Sequence, residues 1–374
     1  MKTLEKSQNI QATNSSSKII NIAIFGHGLV GGTLIDQILE SQENIETRKG
    51  VKLNIFAVAN SKHVLLNKEG VSIHWKEEIN QNQKLYTVND IIEYAQLQGL
   101  ENLIAVDNTA SSSFIKNYIP LIQSGFNLIS SNKIANTISY SFYQELRQVL
   151  KENQKEYLYE TNVGAGLPLI DTIKLLHLSG ENITRIKGVF SGTLSYIFNT
   201  FSTQDLAFSQ VLDQAVGLGY TEPDPREDLS GNDVARKLLV LARELELENE
   251  FNEIKIQNLI PNFLQPLKVN EFLNQTHLLD PEYQTLKNNL KPNHVLRYVG
   301  ELSGDLQQAK GILETKLIEV PANSALGQLK GSDSIFEIYT ESYGDNPIVI
   351  QGAGAGAKVT ARGVFGDILR LVLK

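Results

Sequence analysis

Acidic side chains are concentrated between Gly219 and Lys237, in a stretch that also contains two prolines. Many carboxylates in one loop repel one another unless a cation or a polar substrate lies among them. Asp233 and Lys237 are four residues apart at the start of an amphipathic helix predicted over Asp233–Leu247, so they share one face of that helix. The stretch therefore suits binding of a polar ligand, although the spacing by itself favours a surface ion pair.

A glycine-rich turn follows the predicted buried strand Ile19–Phe25 and opens a predicted helix. In this context the first glycine makes a tight turn, the second lets a pyrophosphate approach the backbone, and the third allows the helix to pack on the strand. The helix N-terminus then presents its free N–H groups to the phosphates. The pattern predicts dinucleotide binding by the turn, in particular by Gly26, Gly28, Leu29, Val30 and Gly31.

The end of the second predicted strand bears on which dinucleotide is bound. NAD-binding domains usually have an acidic residue there, which binds the ribose 2′-hydroxyl. Residues 51–68 contain no acidic residue, and the strand runs into Asn60 and Lys62. A lysine attracts a 2′-phosphate, so NADP is the predicted cofactor, with NAD still possible. A solvated loop lysine is an equally good interpretation of Lys62.

Strand and helix patterns alternate through the first half of the chain, which predicts right-handed βαβ units and a doubly wound parallel sheet over residues 18–155. Thr109 follows the strand Leu103–Asp107, at the sheet edge where nucleotide contacts gather. The predicted strands are Ile19–Phe25, Leu53–Ala59, Leu103–Asp107 and Asn127–Ser130, and the predicted helices are Leu29–Leu39, Asn89–Leu97 and Phe114–Gln123.

Past Tyr157 the pattern changes to glycine-rich turns, short helices and separate strands, which predicts an inserted α+β domain over residues 156–339. Four prolines between Glu250 and Pro292 rule out one long helix there. Residues 340–374, a strand followed by a helix, are predicted to complete the nucleotide-binding domain. The run Ile183–Phe190 is either a dimer-interface strand or a buried core strand.

Composition excludes several classes of protein. The 374 residues carry a formal net charge of −8, without the basic clusters of nucleic-acid-binding proteins. The absence of cysteine excludes disulfides, thiolate metal sites and enzymes that acylate a cysteine. Residues 1–17 are polar, which predicts a flexible arm rather than a signal peptide, and no stretch is apolar enough to span a membrane. We therefore expect a soluble, cytoplasmic protein with a small-molecule substrate.

The stretch from Ala215 and Gly219 to Asp233 and Lys237 resembles the signature of the homoserine dehydrogenase family. Further segments resemble the family in the right order, from about residue 20 to the end, and are similar in particular to the dehydrogenase half of bifunctional aspartate kinase–homoserine dehydrogenases. The resemblance implies NAD(P)-dependent interconversion of L-homoserine and L-aspartate 4-semialdehyde, in threonine, methionine and isoleucine synthesis. These further segments are SNK at 131–133, ETNVGAGLP at 160–168, GVFSGTLSYIF at 188–198 and GAGAG at 352–356.

The resemblance implies roles for individual residues. Lys237 matches the general acid/base lysine, and Lys133 matches a second lysine near the nicotinamide and the reacting carbon. A lysine suits acid/base work if burial or a neighbouring cation lowers its pKa. The implied substrate-binding residues are Glu222, Asp233 and, as an accessory, Asp228. Further cofactor contacts are expected from Lys133, Gly219 and Gly354.

The resemblance also implies a monovalent cation site, sodium or potassium, with a structural role. Its expected ligands are Glu160, Val163, Ala165 and Leu167, a carboxylate with main-chain carbonyl groups. A homodimer formed through the sheet of the inserted domain is expected as well. Neither a kinase nor an ACT domain is expected, and hence no threonine feedback through such a domain. Two other functions stay open, a different NADP oxidoreductase and a non-catalytic NADP-binding regulator.

Overall fold

Two six-stranded sheets organise the computed structural model, which describes residues 17–82 and 84–373. The first sheet has the order β3-β2-β1-β4-β5-β6 and is parallel except for the antiparallel β2–β3 pair. This confirms the predicted doubly wound sheet. Its strands are β1 (Lys18–Phe25), β2 (Val51–Ala59), β3 (Val64–Leu66), β4 (Leu103–Asp107), β5 (Asn127–Ser130) and β6 (Tyr157–Leu158). The predicted arm, residues 1–17, lies outside the described residues apart from Ser17.

Five helices connect these strands. The first continues to Lys49, well beyond the predicted end at Leu39, and stops at Gly50 in a left-handed conformation (φ 64°). The added turns are polar, so they have no apolar periodicity to read from the sequence, yet they are rich in good helix formers. The helices are α1 (Leu29–Lys49), α2 (Trp75–Gln81), α3 (Val88–Leu97), α4 (Tyr118–Gln123) and α5 (Tyr140–Glu152).

Apolar residues cover both faces of the first sheet. On β1, Ile22 and Ile24 pack into the core shared with α1 and the C-terminal helix, whereas Ala23 and Phe25 pack into the core on the opposite face. A parallel strand buried on both faces needs a continuous apolar run, which is what made this strand readable from the sequence.

The second sheet has the order β12-β11-β7-β9-β10-β8 and is antiparallel except for the short β8–β10 pair. Helices pack on one of its faces. The strands are β7 (Ile183–Val189), β8 (Lys255–Ile256), β9 (His294–Ser303), β10 (Ile312–Pro321), β11 (Ser334–Thr340) and β12 (Ile348–Gly352). The remaining helices are α6 (Leu169–Leu178), α7 (Gly192–Thr203), α8 (Phe208–Gly217), α9 (Pro225–Leu229), α10 (Asn232–Glu244), α11 (Val269–Leu273), α12 (Asp280–Asn288) and α13 (Ala357–Val372).

The C-terminal segment corrects one part of the predicted domain division. Strand β12 does not complete the nucleotide-binding sheet, because it pairs with β11 at the edge of the second sheet. The connection between these two strands is a short turn, which favours antiparallel pairing of neighbours. Only α13 returns to the first domain, where it packs on α1 and its Lys358 carbonyl accepts a hydrogen bond from Gln37 (3.2 Å).

Strand β7 lies in the interior of the second sheet, between β11 and β9. Its Ile183 and Ile186 are buried in the core beneath the helices, so the core-strand interpretation of this run is correct. The short helices between Glu250 and Pro292 are also as predicted. No helix within residues 17–82 and 84–373 is both long and apolar enough to cross a bilayer.

Candidate active site

The glycine turn after β1 has the geometry of a dinucleotide-binding loop. Gly26 has φ 85°, and a side chain there would come within 2.9 Å of the Asn108 backbone. A side chain at Gly31 would come within 1.9 Å of the Gly26 carbonyl oxygen, so this third glycine allows the helix to start against the turn. The predicted packing roles of these two glycines are therefore met.

Gly28 differs from the other two glycines because open space surrounds it. It is the N-cap of α1, nothing lies within 4 Å of the position where its Cβ would be, and no acidic residue stands in the first turn of the helix. Leu29 next to it is 81% exposed. The free N–H groups of a long helix and an open approach at Gly28 fit the pyrophosphate of a dinucleotide.

Asn60 organises the end of β2, where the ribose of a dinucleotide is expected. Its side-chain oxygen accepts the backbone N–H groups of Lys62 and His63 (2.8 and 2.7 Å), and its amide nitrogen lies 3.3 Å from His27 Nε2. The Asn60 carbonyl accepts the hydroxyl of Tyr86 (2.7 Å). Lys62 is exposed beside this turn. The loop thus offers amide and cationic groups and no carboxylate.

Thr109 and Lys133 lie at the carboxyl ends of β4 and β5, above a buried hydrogen-bond network. Asp107 accepts bonds from the Thr109 backbone (2.8 Å), the Tyr118 hydroxyl (2.8 Å) and the Asn132 amide (3.1 Å). Burial raises the pKa of Asp107, and these three groups oppose that shift. The network fixes the loop from which the Lys133 side chain leaves the nucleotide domain.

Helix α10 supplies the other half of the site. Gly231 caps it with φ 76°, and a side chain there would collide with the Tyr298 hydroxyl at 2.0 Å. The apolar face of the helix, which includes Val234 and Leu238, packs against the second sheet. This packing orients Asp233 toward the nucleotide domain.

Lys133 and Lys237 meet at Asp233, across the boundary between the two domains. Lys237 Nζ lies 2.8 Å from Asp233 Oδ2, and Lys133 Nζ lies 3.4 Å from Asp233 Oδ1. Lys237 also donates to the Phe190 carbonyl (2.8 Å). The carboxylate lies between the two ammonium groups, so it offsets their mutual repulsion. Sequence spacing had favoured a surface ion pair, but the side chain of Lys237 is only 14% exposed.

Asp233 is the most strongly affected titrating group of this cluster. Burial alone raises the pKa of a carboxyl group, but the charges of Lys237 and then Lys133, with their hydrogen bonds, outweigh burial and hold the pKa of Asp233 well below its usual range. The carboxylate is therefore ionised at any pH at which the protein is expected to work. Its charge orients both lysines.

The acidic loop between α8 and α9 lies beside this cluster. Gly219 begins the loop in a left-handed conformation (φ 69°) with open space around it, and Glu222 is exposed. Asp228 accepts the backbone N–H of Glu222 (2.8 Å), and burial raises the pKa of Asp228. Asp228 therefore shapes the loop, and the carboxylate of Glu222 remains available to a ligand.

Gly354 has a packing role that the sequence did not reveal. It is buried, and a Cβ at this position would lie 1.9 Å from the Ser334 hydroxyl oxygen. Close packing against β11 accounts for this glycine, whereas Gly28 is open. The predicted cofactor contact of Gly354 therefore has no open surface to support it.

The predicted cation ligands lie in the segment between β6 and α6, where Ala165 has φ 53°. The Glu160 carboxylate accepts the backbone N–H groups of Ile170 and Asp171 (2.7 and 2.9 Å), at the start of α6. Burial, followed by the nearby Asp171, raises the pKa of Glu160 to about 8, although Arg370 Nη1 lies 3.8 Å from Glu160 Oε2. The carboxylate is engaged by the helix N-terminus, which leaves the carbonyl groups of Val163, Ala165 and Leu167 as the better candidate ligands.

Leu167 is the weakest of those three carbonyl groups, because its oxygen already accepts the Leu169 N–H (2.9 Å). Within residues 17–82 and 84–373, no group of three or more His, Cys, Asp or Glu side chains is arranged to hold a metal ion. A carbonyl-rich site for a monovalent cation is compatible with that finding.

Sequence reasoning missed two contributions to the site. The Phe190 carbonyl positions Lys237, and a backbone acceptor leaves no signal in side-chain chemistry. Asn132 and Ser130, which bond to each other and to Asp107, fix the Lys133 loop from below. Asn132 stands inside the motif SNK and could have been singled out as a buried polar residue beside a lysine.

Taken together, the glycine turn, the doubly wound sheet and the lysine–aspartate cluster define a dinucleotide-binding α/β protein with a polar site between two domains. Family models give the same division. The model described as homoserine dehydrogenase matches residues 168–369, and the model of the homoserine dehydrogenase NAD-binding domain matches residues 26–160. The chain belongs to the homoserine dehydrogenase family, whose members are oxidoreductases.

Two relatives with curated names agree with this assignment. The chain is 35% identical over 372 residues to a homoserine dehydrogenase of Schizosaccharomyces pombe, covering 96% of this chain and 97% of that protein. It is 36% identical over 363 residues to a bifunctional aspartokinase/homoserine dehydrogenase of Haemophilus influenzae, covering 96% of this chain. The chain spans only 44% of that bifunctional relative.

Solved structures share the fold. A Candida auris protein of unknown function has a TM-score of 0.84 and 33% identity, with 95% of this chain and 99% of that chain covered. A hyperthermophilic archaeal homoserine dehydrogenase in complex with NADPH has a TM-score of 0.71 at 23% identity, with 95% and 98% covered. The second comparison shows the fold alone.

Proposed function

We propose that the protein interconverts L-homoserine and L-aspartate 4-semialdehyde, with Lys237 as general acid/base. The observation that carries this proposal is the meeting of Lys133 and Lys237 at Asp233, between the nucleotide-binding domain and the second domain. A nicotinamide dinucleotide, when bound, accepts hydride from the alcohol or returns it to the aldehyde. The residues of the chain bind and orient the substrate and move the hydroxyl proton.

Lys237 is suited to the proton transfer because its hydrogen bonds are only partly used. An ammonium group has three N–H donors, of which one is directed to Asp233 and one to the Phe190 carbonyl. The third is free to point at the substrate oxygen. During oxidation the amine form accepts the hydroxyl proton, and during reduction the ammonium form donates a proton to the carbonyl oxygen. Lys133 holds the same oxygen from the cofactor side.

Glu222 is the proposed partner of the substrate's α-ammonium group. It is exposed on a loop whose turn is fixed by Asp228, so its carboxylate can meet a cation without first breaking an ion pair. Asp233 orients the two lysines and lies within reach of the same ligand. Replacing Glu222 by Gln is expected to raise KM for homoserine about tenfold with little change in kcat, because binding of the ammonium is common to ground and transition states.

NADP is the proposed cofactor, because the end of β2 offers Asn60 and Lys62 and no carboxylate for a 2′-hydroxyl. Gly28 supports pyrophosphate binding, and the variant Gly28→Ala tests this. Its Cβ has room in the fold, so the variant is expected to keep its thermal stability while the Kd for NADPH rises at least tenfold. The variant Gly366→Ala, also in open space but remote on α13, is the control.

The deciding experiment follows nicotinamide absorbance with purified protein, L-homoserine and either NADP⁺ or NAD⁺. Reduction that depends on homoserine and is faster with NADP⁺ is the expected result. Faster reduction with NAD⁺ would keep the enzyme and overturn the argument from Asn60 and Lys62. A folded protein that binds NADPH but reduces neither cofactor would instead support the non-catalytic regulator. Activity on other hydroxy acids alone would support a different oxidoreductase.

A monovalent cation, sodium or potassium, is proposed to lie among the carbonyl groups of Val163, Ala165 and Leu167, beside Glu160. The three carbonyl groups lie in one glycine-containing segment, and oxygen ligands of this kind suit such an ion. Replacing sodium or potassium by tetramethylammonium at constant ionic strength is expected to lower the thermal midpoint as well as the activity. An unchanged midpoint in all three salts would contradict a structural cation.

We also propose a homodimer that forms through the outward face of the second sheet, in a cytoplasmic enzyme of amino-acid biosynthesis. Val349 on β12 is about half exposed. The row of residues that continues from it across the sheet is Glu337, Lys187 and Glu301, so this face offers an apolar edge and charges of both signs for a contact. Sedimentation at several concentrations is expected to give a dimer, and Val349→Arg is expected to weaken it. A monomer at every concentration would contradict this assembly.

A further inference from the structure

A second polar cleft lies on the other side of α10 from the lysine–aspartate cluster. It has a volume of about 880 Å³ and is formed by α5, α6 and the residues that end α10. None of the residues assigned above to substrate, cofactor or cation lines it. Its walls combine tyrosine rings with cationic side chains, and the central residues are Tyr143, Arg147, Tyr157, Tyr159, Lys174, Arg243 and Glu244.

Arg147 is the cation at the centre of this cleft. Its guanidinium lies 4.1 Å from the ring of Tyr143 and 5.3 Å from that of Tyr159. Its Nη2 donates to two neutral oxygens, Asn136 Oδ1 (3.1 Å) and the Tyr159 hydroxyl (2.7 Å). Nη1 is buried without a hydrogen-bond partner. Tyrosine faces attract a guanidinium more weakly than a carboxylate does, so this charge is incompletely compensated.

Two further cations stand in the same walls, each beside its own carboxylate. Lys174 is 3.7 Å from the buried Glu244, which also accepts the Tyr159 hydroxyl. Arg243 is 1% exposed and lies 3.4 Å from Glu250, but its Nε and Nη1 atoms have no hydrogen-bond partner.

The remaining charges lie at the mouth of the cleft. Lys151 and Lys155 stand there with three acidic residues, Glu156, Glu246 and Glu248. These residues at the mouth carry charges of both signs, and the nearby water screens those charges. Inside the cleft, Lys174 is paired with Glu244. Arg243 is paired with Glu250, which lies outside the lining. Among the described residues no carboxylate lies within 4 Å of the Arg147 guanidinium, so a small anion would compensate that charge.

The cleft is connected to the active-site lysine by a short chain of hydrogen bonds. The acceptor of Arg147, Asn136, donates its own backbone N–H to the Lys133 carbonyl (3.1 Å). The Asn136 amide also holds Asn162 (3.0 Å), which donates to the Ser130 carbonyl beneath the Lys133 loop (2.8 Å). A change in the position of Arg147 therefore reaches the backbone of Lys133 through one residue.

We propose that this cleft is a regulatory site for a small metabolite that carries a carboxylate or phosphate group. The anion pairs with Arg147 and Lys174, the tyrosine rings cover its apolar part, and its binding is transmitted through Asn136 to Lys133. The binding part stands independently of the catalytic proposal. The transmission part rests on the function proposed above, because it is measured as a change in homoserine oxidation.

Calorimetric titration tests binding, with succinate and inorganic phosphate as probes in separate arms. The wild-type protein is expected to bind at least one of them, and the arm that gives heat identifies the preferred group. Lys174→Gln is expected to weaken binding at least tenfold, because it removes a cation whose side chain is 40% exposed. Since the ammonium also lies 5.5 Å from the Tyr159 ring, the fold of this variant is checked by its thermal midpoint. Lys49→Gln, an exposed lysine at the end of α1, is the matched control and is expected to bind like the wild type.

Arg147→Gln is a second variant for the same calorimetric titration. Because the guanidinium is part of the tyrosine packing, the thermal midpoint of this variant is measured to check that it folds. Absence of binding by the wild-type protein, or equal affinity in Lys174→Gln, would overturn the site. This outcome does not depend on whether the protein oxidises homoserine.

Transmission is tested by kcat for homoserine oxidation with and without the bound probe, at ionic strength matched with chloride. The expected result is at least a twofold change in the wild type and in Lys49→Gln, and no change in Lys174→Gln at the same probe concentration. Binding that leaves kcat and KM unchanged in the wild type would overturn transmission and leave a binding site only. Absence of any homoserine oxidation would instead count against the catalytic proposal.

Discussion

The two ends of α10 carry charged clusters of opposite character. At the N-terminal end, Asp233 has a side chain that is 48% exposed and shares its two oxygens between Lys237 and Lys133. At the C-terminal end, Arg243 and Glu244 are almost completely buried among tyrosine side chains. One helix thus has a half-exposed ionic cluster at its start and, at its finish, buried charges in the wall of the second cleft.

The difference follows from what surrounds each end. The first turn of α10 faces the gap between the domains, where substrate and cofactor must enter, so some donors are left unused. The last turn is packed against α5 and α6, where charges are stabilised by rings and by backbone acceptors such as the Ile138 carbonyl (2.8 Å from Arg243 Nη2). Substitutions should therefore affect chemistry at the first end and stability at the second.

The largest expected effect is on chemistry. Lys237→Ala is expected to lower kcat for homoserine oxidation about 10³-fold, which corresponds to about 4 kcal/mol of activation free energy, because general acid/base catalysis is lost. Steady-state kinetics measures the loss, and calorimetry should show that NADPH still binds with nearly wild-type affinity. Equal loss of NADPH binding and turnover would remove the assigned role.

Arg236→Gln is the control for that substitution. Arg236 precedes Lys237 on the same helix, but its guanidinium stacks on Phe251 at 4.6 Å, away from Asp233. Its kcat should stay within about twofold of wild type, because surface changes away from a site are usually small in free energy. A large loss of kcat in Arg236→Gln would mean that α10 is sensitive to any substitution, and the loss in Lys237→Ala would then not identify a role of Lys237.

The second effect is on stability, at the other end of the helix. Arg243→Met is expected to lower the free energy of unfolding by about 2 kcal/mol, because hydrogen bonds from a charged donor to Ile138 and Glu250 are lost. Urea denaturation measures it. The loss is moderate because Glu250 can be hydrated. If kcat fell more than stability did, the division between the two ends would fail.

The smallest effect concerns pH. The pKa of Asp233 is lower in the folded protein than in the unfolded chain. Its ion pairs therefore stabilise the fold fully above the unfolded pKa of about 4. This contribution is lost as the pH falls from there through the pKa of the folded protein. Since the side chain is half exposed, the contribution is screened and stays under about 1 kcal/mol. Asp233→Asn should therefore differ from wild type in urea midpoint near neutral pH but less at about pH 3. A constant difference would contradict the lowered pKa.

Four of the six strands and three of the five helices of the nucleotide-binding half could be read from the sequence, whereas β3, β6, α2 and α5 were not predicted. Its strands are buried on both faces, so they appear as continuous apolar runs, and Leu103–Asp107 and Asn127–Ser130 have the predicted bounds. The length of α1 could not be read, because its second half is a polar surface helix. The destination of the strand Ile348–Gly352 was also wrong, since pairing partners are chosen by the turn geometry and by the edge that is free.

For the candidate site, too, some features could be predicted from the sequence and others could not. Resemblance to the family selected Lys133, Asp233 and Lys237, whereas the glycine pattern itself predicted the roles of Gly26 and Gly31, where the backbone leaves no room for a side chain. Neither could show that one carboxylate joins both lysines, because Lys133 and Asp233 lie in different domains. Only folding determines that distance.

The sequence by itself determined which groups are available: a glycine turn before a helix, two lysines, and carboxylates at helical spacing. These are properties of local geometry, which a few neighbouring residues fix. The tertiary structure decided which charges became buried and which stayed open, and so separated the two ends of α10. The physical reason is that desolvation and charge pairing depend on residues far apart in the chain, such as Lys174 with Glu244 and Lys133 with Asp233, which meet only when the chain folds.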